Sequence, residues 1–246
     1  MYPYINIILP SYAVFAVIGA MAVVFLLYFR IEKYKLPFLD FIKMFALCIV
    51  SGFLGSRLVF VGSRLPWLLS HFSVQHLIST IIGGGLVFYG GLLGVLFGIH
   101  LYCKKYRIDA LNVYNFIAPA IPLFHTFGRI GCFMSGCCYG LELKTPITFL
   151  GLIQFNRIPT QLIEAVFEML LFIILIIWQR KGNKKDFLKI YMITYAVFRF
   201  LIEFFRGDDV RGFFFGFSTS QIISLGIMVW YIVLSMKKNH VRTSAS

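Results

Sequence analysis

NVYNFIAPAIPLFHTFGRIGCFMSG, residues 112–136, is apolar over a length that crosses a bilayer, yet it carries His125 and Arg129 and runs on into CCYG, residues 137–140. About 20 predominantly apolar residues span the hydrocarbon core as a helix. An arginine inside such a helix costs roughly 2.5–3.5 kcal/mol on insertion scales. It is therefore expected to face a bundle interior or a wet cavity, where something must hold its charge.

The rest of the chain agrees with a membrane reading. Of its 246 residues 59% are hydrophobic and 13% are charged, and the mean hydropathy is +0.84. A soluble domain carries about 25% charged residues. Seven apolar segments recur, near residues 6–29, 41–63, 79–103, 112–136, 161–179, 187–205 and 217–236. The expected fold is an all-α integral membrane protein of seven transmembrane helices, a single domain over residues 1–246 with short loops. LPWLLSHF, residues 65–72, reads as a short amphipathic piece in the interface, with Trp67 at headgroup level. MYPYINIILP at the start has no basic region typical of a cleaved signal, so the first helix is expected to stay.

The net charge is +13. Its distribution gives an orientation. Arg30, Lys33, Lys35 and Lys43 follow the first span, Lys104, Lys105 and Arg107 the third, and Arg180, Lys181, Lys184 and Lys185 the fifth, while Lys237, Lys238 and Arg242 lie in the tail. Basic loops stay on the cytoplasmic side, which puts the N-terminus outside and the C-terminus in the cytoplasm. There is no basic soluble module, so membrane lipids and not nucleic acid are the expected partners.

With that orientation, the polar groups inside the spans fall at one depth. Tyr12, Arg57, Tyr89, Arg129, Gln161, Glu164, Arg199 and Arg206 all lie in the outer halves of their spans. Arg199, Glu203 and Arg206 are spaced i, i+4, i+7, one helical face. Arg57, Arg129, Arg199 and Arg206 meet two carboxylates, Glu164 and Glu203, leaving a positive excess. Such a site suits a lipid phosphate, which arginine grips with a bidentate fork. The competing reading is that Arg–Glu pairs tie helices together and that Arg206 snorkels. The glycines of LGSR (residues 54–57) and GGGLVFYGGLLG (residues 83–94) allow either close helix packing or unwound backbone facing an anion. His125 lies four residues before Arg129 on the same face, where it serves either as a base with a pKa near neutrality or as a hydrogen-bonded helix residue.

Cys132, Cys137 and Cys138 form a C-x4-C-C set. It is not a standard zinc spacing, and no metal is expected. A disulfide, a reactive thiolate beside Arg129 that accepts a lipid group, and apolar filling remain alternatives.

GRIGCFMSGCCYG resembles the signature of the prolipoprotein diacylglyceryl transferase family, GR-[IL]-GNF-xNGE-xxG, with Arg129, Gly131, Phe133, Gly136 and Gly140 matching. Further motifs follow in order. SYAVF resembles WYGL with Tyr12 on the tyrosine, GSRLVFV resembles GGRIGYV with Arg57 on the arginine, and VFYGGLLG resembles FHGGLIG. NFIAPAIP resembles DFIAPLIP, and RIPTQLIE resembles RHPSQLYE with Arg157, Pro159, Gln161 and Glu164 matching. YAVFRFLIEFFRGDD resembles YGAFRIIVEFFRQPD, with Arg199, Glu203, Arg206 and Asp209 matching. The resemblance implies transfer of a diacylglyceryl group from phosphatidylglycerol to the lipobox cysteine of a preprolipoprotein signal peptide, releasing glycerol 1-phosphate, in the bacterial cytoplasmic membrane and with no cofactor.

On that reading Arg129 and Arg199 hold the phosphate, with His125 and Tyr89 as the other catalytic residues. Tyr12, Arg57, Gly90, Gly91, Gln161, Glu203 and Arg206 bind substrate. The chain departs from the family form at several places. The HGG histidine is Tyr89, the GNF asparagine is Cys132, the next asparagine is Ser135, the glutamate is Cys137, the tryptophan is Tyr139 and the DFIAP aspartate is Asn115. Two other readings share the fold: a changed acceptor or transferred group, and a non-catalytic lipid-binding protein.

Overall fold

The computed structural model describes residues 4–6, 9–83, 87–149, 153–182, 185–207, 213–214 and 216–243. Gly84, Gly85, Lys184, Asp209 and Arg211 lie outside these, as do the side chains of Lys237, Lys238 and Arg242. The order is β1 (Tyr4–Asn6), β2 (Leu9–Pro10), α1 (Ser11–Tyr28), α2 (Phe38–Ser70), α3 (Val74–Gly83), α4 (Phe88–Tyr106), α5 (Ala110–Ile117), α6 (Ala120–Ser135), β3 (Glu142–Phe149), β4 (Ile153–Arg157), α7 (Thr160–Arg180), α8 (Phe187–Ile202), a 3-10 turn (Glu203–Phe205), β5 (Phe213–Phe214), β6 (Phe217–Ser218) and α9 (Thr219–Thr243). The chain forms two compact units. One comprises Met1–Arg30, Tyr114–Arg211 and Ser220–Ser246, the other Ile31–Val113 and Gly212–Thr219.

The protein is mainly helical, with a membrane protein's surface. Among the described residues, four stretches are long and apolar enough to cross a bilayer: Ser11–Tyr28, Phe38–Ser70, Ala110–Ser135 across α5 and α6, and Thr160–Arg180. Met21, Phe25, Leu58, Val166 and Trp230 are exposed on helix faces, as a lipid-facing surface requires. The other expected spans are shorter or interrupted. Helix α8 has 16 residues, and the apolar part of α9 is Thr219–Leu234.

Several boundaries differ from the sequence reading, each for a local reason. The first helix begins at Ser11 after the β1–β2 pair, not near residue 6. The amphipathic piece at 65–72 is not separate, because α2 runs through Pro66 to Ser70. Proline removes one backbone bond from a helix, and here the helix continues past it, with His71 N–H closing onto Trp67 O at 3.0 Å. The third expected span is broken. Glycine costs about 1 kcal/mol in a helix relative to alanine, and α3 is described as far as Gly83. Val87 is extended before α4. The fourth is also broken, at Ala118–Pro119 between α5 and α6. Among the loops expected to be short, the β3–β4 antiparallel hairpin was not foreseen.

In the first unit, α1 packs closely on α6. A Cβ built on Gly19 would lie 2.9 Å from Phe127 Cβ, and one on Gly131 would lie 3.3 Å from Tyr12 Cα. Phe167 of α7 stacks on Phe198 of α8 with centroids 3.8 Å apart. At one end of this unit Arg30 donates to Gln179 Oε1 and, at 3.5 Å, to Phe116 O. In the second unit, α2 and α4 meet along their glycines. A Cβ on Gly90 would clash with Gly55 O and Val59, and one on Gly94 with Ser51 O. Ser56 Oγ donates to Val87 O at 3.0 Å. These glycines therefore serve close packing, and the unwinding alternative does not hold for Gly90, Gly91 and Gly94, which lie within a continuous helix.

Candidate functional site

Helix α6 places His125 and Arg129 one turn apart on a shared face, with 4% and 8% of their surface exposed. Helix α7 offers Gln161, Glu164 and Glu168 at i, i+3, i+7, all buried. Helix α8 and the turn after it bring Tyr195, Arg199, Glu203 and Arg206, also buried. Lipid cannot solvate ionisable groups, so they turn inward and find each other.

Glu164 is the hub. Its Oε1 lies 2.9 Å from Arg129 Nη2, accepts from the Tyr195 hydroxyl at 3.0 Å and lies 3.6 Å from His125 Nε2. Its Oε2 accepts from Arg199 Nη1 at 3.3 Å. Arg199 Nη2 reaches Glu203 Oε2 at 2.8 Å and Ser220 Oγ at 3.1 Å. Arg206 Nη1 stands 3.9 Å from Glu203 Oε2.

The bonds around His125 fix its tautomer. Arg129 Nε donates to His125 Nε2 at 3.1 Å. A guanidinium has no acceptor, so Nε2 supplies a lone pair and Nδ1 carries the proton. Nδ1 then donates to Glu168 Oε1 at 2.9 Å, while the ring packs edge-on to Tyr195. The one basic lone pair of the imidazole is thus engaged by Arg129. In this arrangement His125 orients that arginine. Arg129 in turn has Nε on His125 and Nη2 on Glu164, and among the described residues its Nη1 has no partner.

The sequence count set four arginines against Glu164 and Glu203. Glu168, a further carboxyl group of the same helix as Glu164, is fully buried and joins the cluster through His125. The four-residue spacing that marked His125 also joins Glu164 to Glu168, both read from sequence as ionisable groups of one span, and it would have found Tyr195, which precedes Arg199 by four and was missed.

Beside the cluster lies the cysteine-bearing segment, held by its backbone. Gly136 ends α6 at φ 73° and Cys138 sits at φ 60°, left-handed positions that reverse the chain. Cys137 N–H donates to Cys132 O at 3.2 Å, Gly140 N–H to Ile158 O at 2.9 Å, Leu141 N–H to Phe205 O at 2.9 Å, and Gly207 N–H to Tyr139 O at 3.1 Å. Gln161 Nε2 donates to Cys137 O at 2.6 Å and Thr160 Oγ1 to Cys138 O at 2.9 Å. A Cβ on Gly140 would lie 2.6 Å from Ile158 O, so this position needs glycine. The thiols of Cys132, Cys137 and Cys138 are free, and their sulfurs lie within 4.8 Å of one another. Hydrogen bonds from Cys132 and Cys137, together with the charges of Arg129 and Arg206, hold the Cys138 thiol well below its ordinary pKa against the opposing effect of burial.

The other expected site residues are distributed as follows. Tyr12 is on the first turn of α1, 43% exposed. Gln161 is buried and engaged with the cysteine segment. Arg57 on α2 is half-buried, its guanidinium 5.4 Å from the Phe53 ring. Tyr89 and Gly90 are buried at the start of α4, with Gly91 beside them. These last four belong to the second unit.

The chain matches the family model for prolipoprotein diacylglyceryl transferase over residues 4–237. It is 33% identical over 234 residues to the phosphatidylglycerol–prolipoprotein diacylglyceryl transferase of Clostridium tetani (strain Massachusetts / E88), an overlap of 90% of this chain and 92% of that protein. It is 33% identical over 195 residues to the transferase numbered 2 of Clostridium perfringens (strain 13 / Type A), covering 76% of this chain and 75% of the relative. The Chlorobaculum tepidum transferase is 34% identical over 244 residues, covering 87% and 83%.

Proposed function

The chain belongs to the prolipoprotein diacylglyceryl transferase family, and on that premise we propose that it moves the diacylglyceryl group of phosphatidylglycerol onto the lipobox cysteine of a preprolipoprotein. The thiol sulfur attacks the glyceryl carbon, the carbon–oxygen bond to phosphate breaks, and glycerol 1-phosphate leaves. The thiol proton ends on the phosphate monoester or in water. The chain is a transferase of bacterial lipoprotein biosynthesis and a multi-pass membrane protein.

One observation supports the site assignment above the others. Two arginines on different helices, Arg129 and Arg199, are clamped to the single buried carboxylate Glu164, and Arg129 keeps Nη1 without a partner among the described residues. In our reading a phosphate oxygen takes that nitrogen, and negative charge growing on the leaving group is met by donors already in position. Because the guanidinium groups are fixed beforehand, little reorganisation accompanies the reaction. His125 acts as a positioning residue through Arg129 Nε, and Glu203 and Arg206 steady Arg199. Gln161 holds the cysteine segment. The roles of Tyr12, Arg57, Tyr89, Gly90 and Gly91 at the donor lipid rest on the motif resemblance.

We further propose seven spans, an outside N-terminus, a cytoplasmic C-terminus and a site facing the outer leaflet of the cytoplasmic membrane. The support lies along α7. Glu164 stands near its start, and Gln179, which pairs with Arg30 beside Arg180, lies about 22 Å further on at 1.5 Å per residue. The charge cluster and the basic rim are therefore at opposite ends of one helix, and basic rims are cytoplasmic.

The test is a reconstituted reaction with phosphatidylglycerol and a lipobox peptide, following peptide mass and glycerol 1-phosphate together. Equal amounts of diacylglyceryl-peptide and glycerol 1-phosphate are expected, and both should disappear in Arg129→Ala and Arg199→Ala. A folded wild-type protein yielding neither product overturns the function; full activity in either variant overturns the site.

A further inference from the structure

The three thiols at the end of α6 play no part in the transfer just described. Their C-x4-C-C spacing is unlike the usual zinc patterns, but spacing matters only through the geometry it produces. Two left-handed residues, Gly136 and Cys138, fold the segment back so that Sγ of Cys132, Cys137 and Cys138 are mutually within 4.8 Å. Three thiolates around one ion, at metal–sulfur distances of about 2.3 Å, stand about 3.8–4.0 Å apart. Closing to that spacing asks for movements of about 1 Å or less.

The frame for this cluster is already built. The carbonyls of Cys137 and Cys138 are held by Gln161 and Thr160, and the chain beyond is tied through Gly140 and Leu141. None of these bonds uses a sulfur atom. Cys137 is exposed and the other two are half-open or less, so an ion has access. The donor set is all sulfur, with no carboxylate or imidazole joining it among the described residues. Soft sulfur ligands select zinc-like and cuprous ions over magnesium or calcium.

We propose that Cys132, Cys137 and Cys138 form a three-thiolate site for one thiophilic d10 metal ion of the Zn2+ and Cu+ class, its fourth position open, at the edge of the arginine cluster. Binding exchanges sulfur–hydrogen for sulfur–metal bonds. One ion enters and a proton leaves from each thiol still protonated, with no oxidation or reduction. The inference does not depend on the transferase assignment, because the readout below is binding and not turnover.

The experiment is titration of the full, reduced chain in detergent with Cd2+ as the probe. It follows the ultraviolet sulfur-to-metal absorption, bound metal by mass spectrometry, and thiols left open to alkylation. One Cd2+ per chain is expected, protecting three thiols, with Zn2+ competing for the same site. The exposed-position variant Cys137→Ser should weaken binding about 100-fold or more, beyond the 10–100-fold typical of losing a supporting group. Cys132→Ser combined with Cys137→Ser and Cys138→Ser should abolish the absorption, and Cys48→Ser should leave it intact. A folded, reduced chain whose three thiols all remain open at saturating Cd2+ overturns the proposal. So does an absorption that survives in the triple variant, or one that Cys137→Ser leaves unchanged in a chain with native thermal unfolding.

Discussion

The cluster on α6, α7 and α8 and the seam between α2 and α4 both break the rule that membrane helices are apolar and bulky, but in opposite ways. The first adds groups that lipid cannot solvate and satisfies them with one another around Glu164. The second removes side chains, so that backbone meets backbone at Gly55, Gly90 and Gly94. A polar cluster is held by pairwise bonds, and losing one partner strands the other. A glycine seam is held by shape, and any added atom has nowhere to go. The two regions should therefore fail differently when altered.

The largest effect should come from Glu164→Gln. Removing the charge of the hub leaves Arg129 buried without its carboxylate and Arg199 with Glu203 alone, and breaking a buried pair costs about 3–5 kcal/mol. Chemical unfolding in micelles reads this directly, and a loss below about 1 kcal/mol would show that the cluster is solvated and not held by Glu164. Arg129→Ala comes next, on rate more than on folding. Loss of one fixed charge-stabilising donor lowers kcat about 10²–10³-fold, read as glycerol 1-phosphate release.

In the seam, Gly94→Ala puts a methyl group against Ser51 O and the Gly55 backbone. Neither can rotate away, and overpacking of this kind costs about 1–3 kcal/mol. A lower unfolding temperature is the expected readout, and an unchanged one would mean that the seam is looser than its contacts. The smallest effect belongs to Gly128→Ala. A Cβ there meets nothing within 4 Å, so the better helix former should stabilise by about 0.5–1 kcal/mol. A stability loss at Gly128 would erase the contrast between glycines that pack and glycines that do not.

The sequence made the cluster legible because helical spacing is rigid. An interval of four pairs His125 with Arg129, and Arg199 with Glu203, in the sequence itself. What escaped was pairing between helices. Nothing in the chain says that Glu168 accepts a hydrogen bond from Nδ1 of His125, the bond that presents Nε2 to Arg129. Helix ends were also hard to read. Pro66 looks like a boundary and is not one, while the break before α4 is marked by extended Val87, whose carbonyl accepts from the Ser56 hydroxyl. The β3–β4 hairpin was missed because it lies between two long apolar runs that dominate the pattern.

The segment from Cys137 to Leu141 is fastened almost wholly by main-chain amides and carbonyls, with Gln161 and Thr160 gripping carbonyls and not side chains. It is a mounting plate whose screws pass through the backbone. The side chains fixed to that plate are interchangeable parts. Exchanging Cys138 for asparagine, which tolerates the left-handed region, alters the chemistry presented beside Arg129 while every fastening stays in place. A chain built this way can be refitted for a new reaction partner without being refolded.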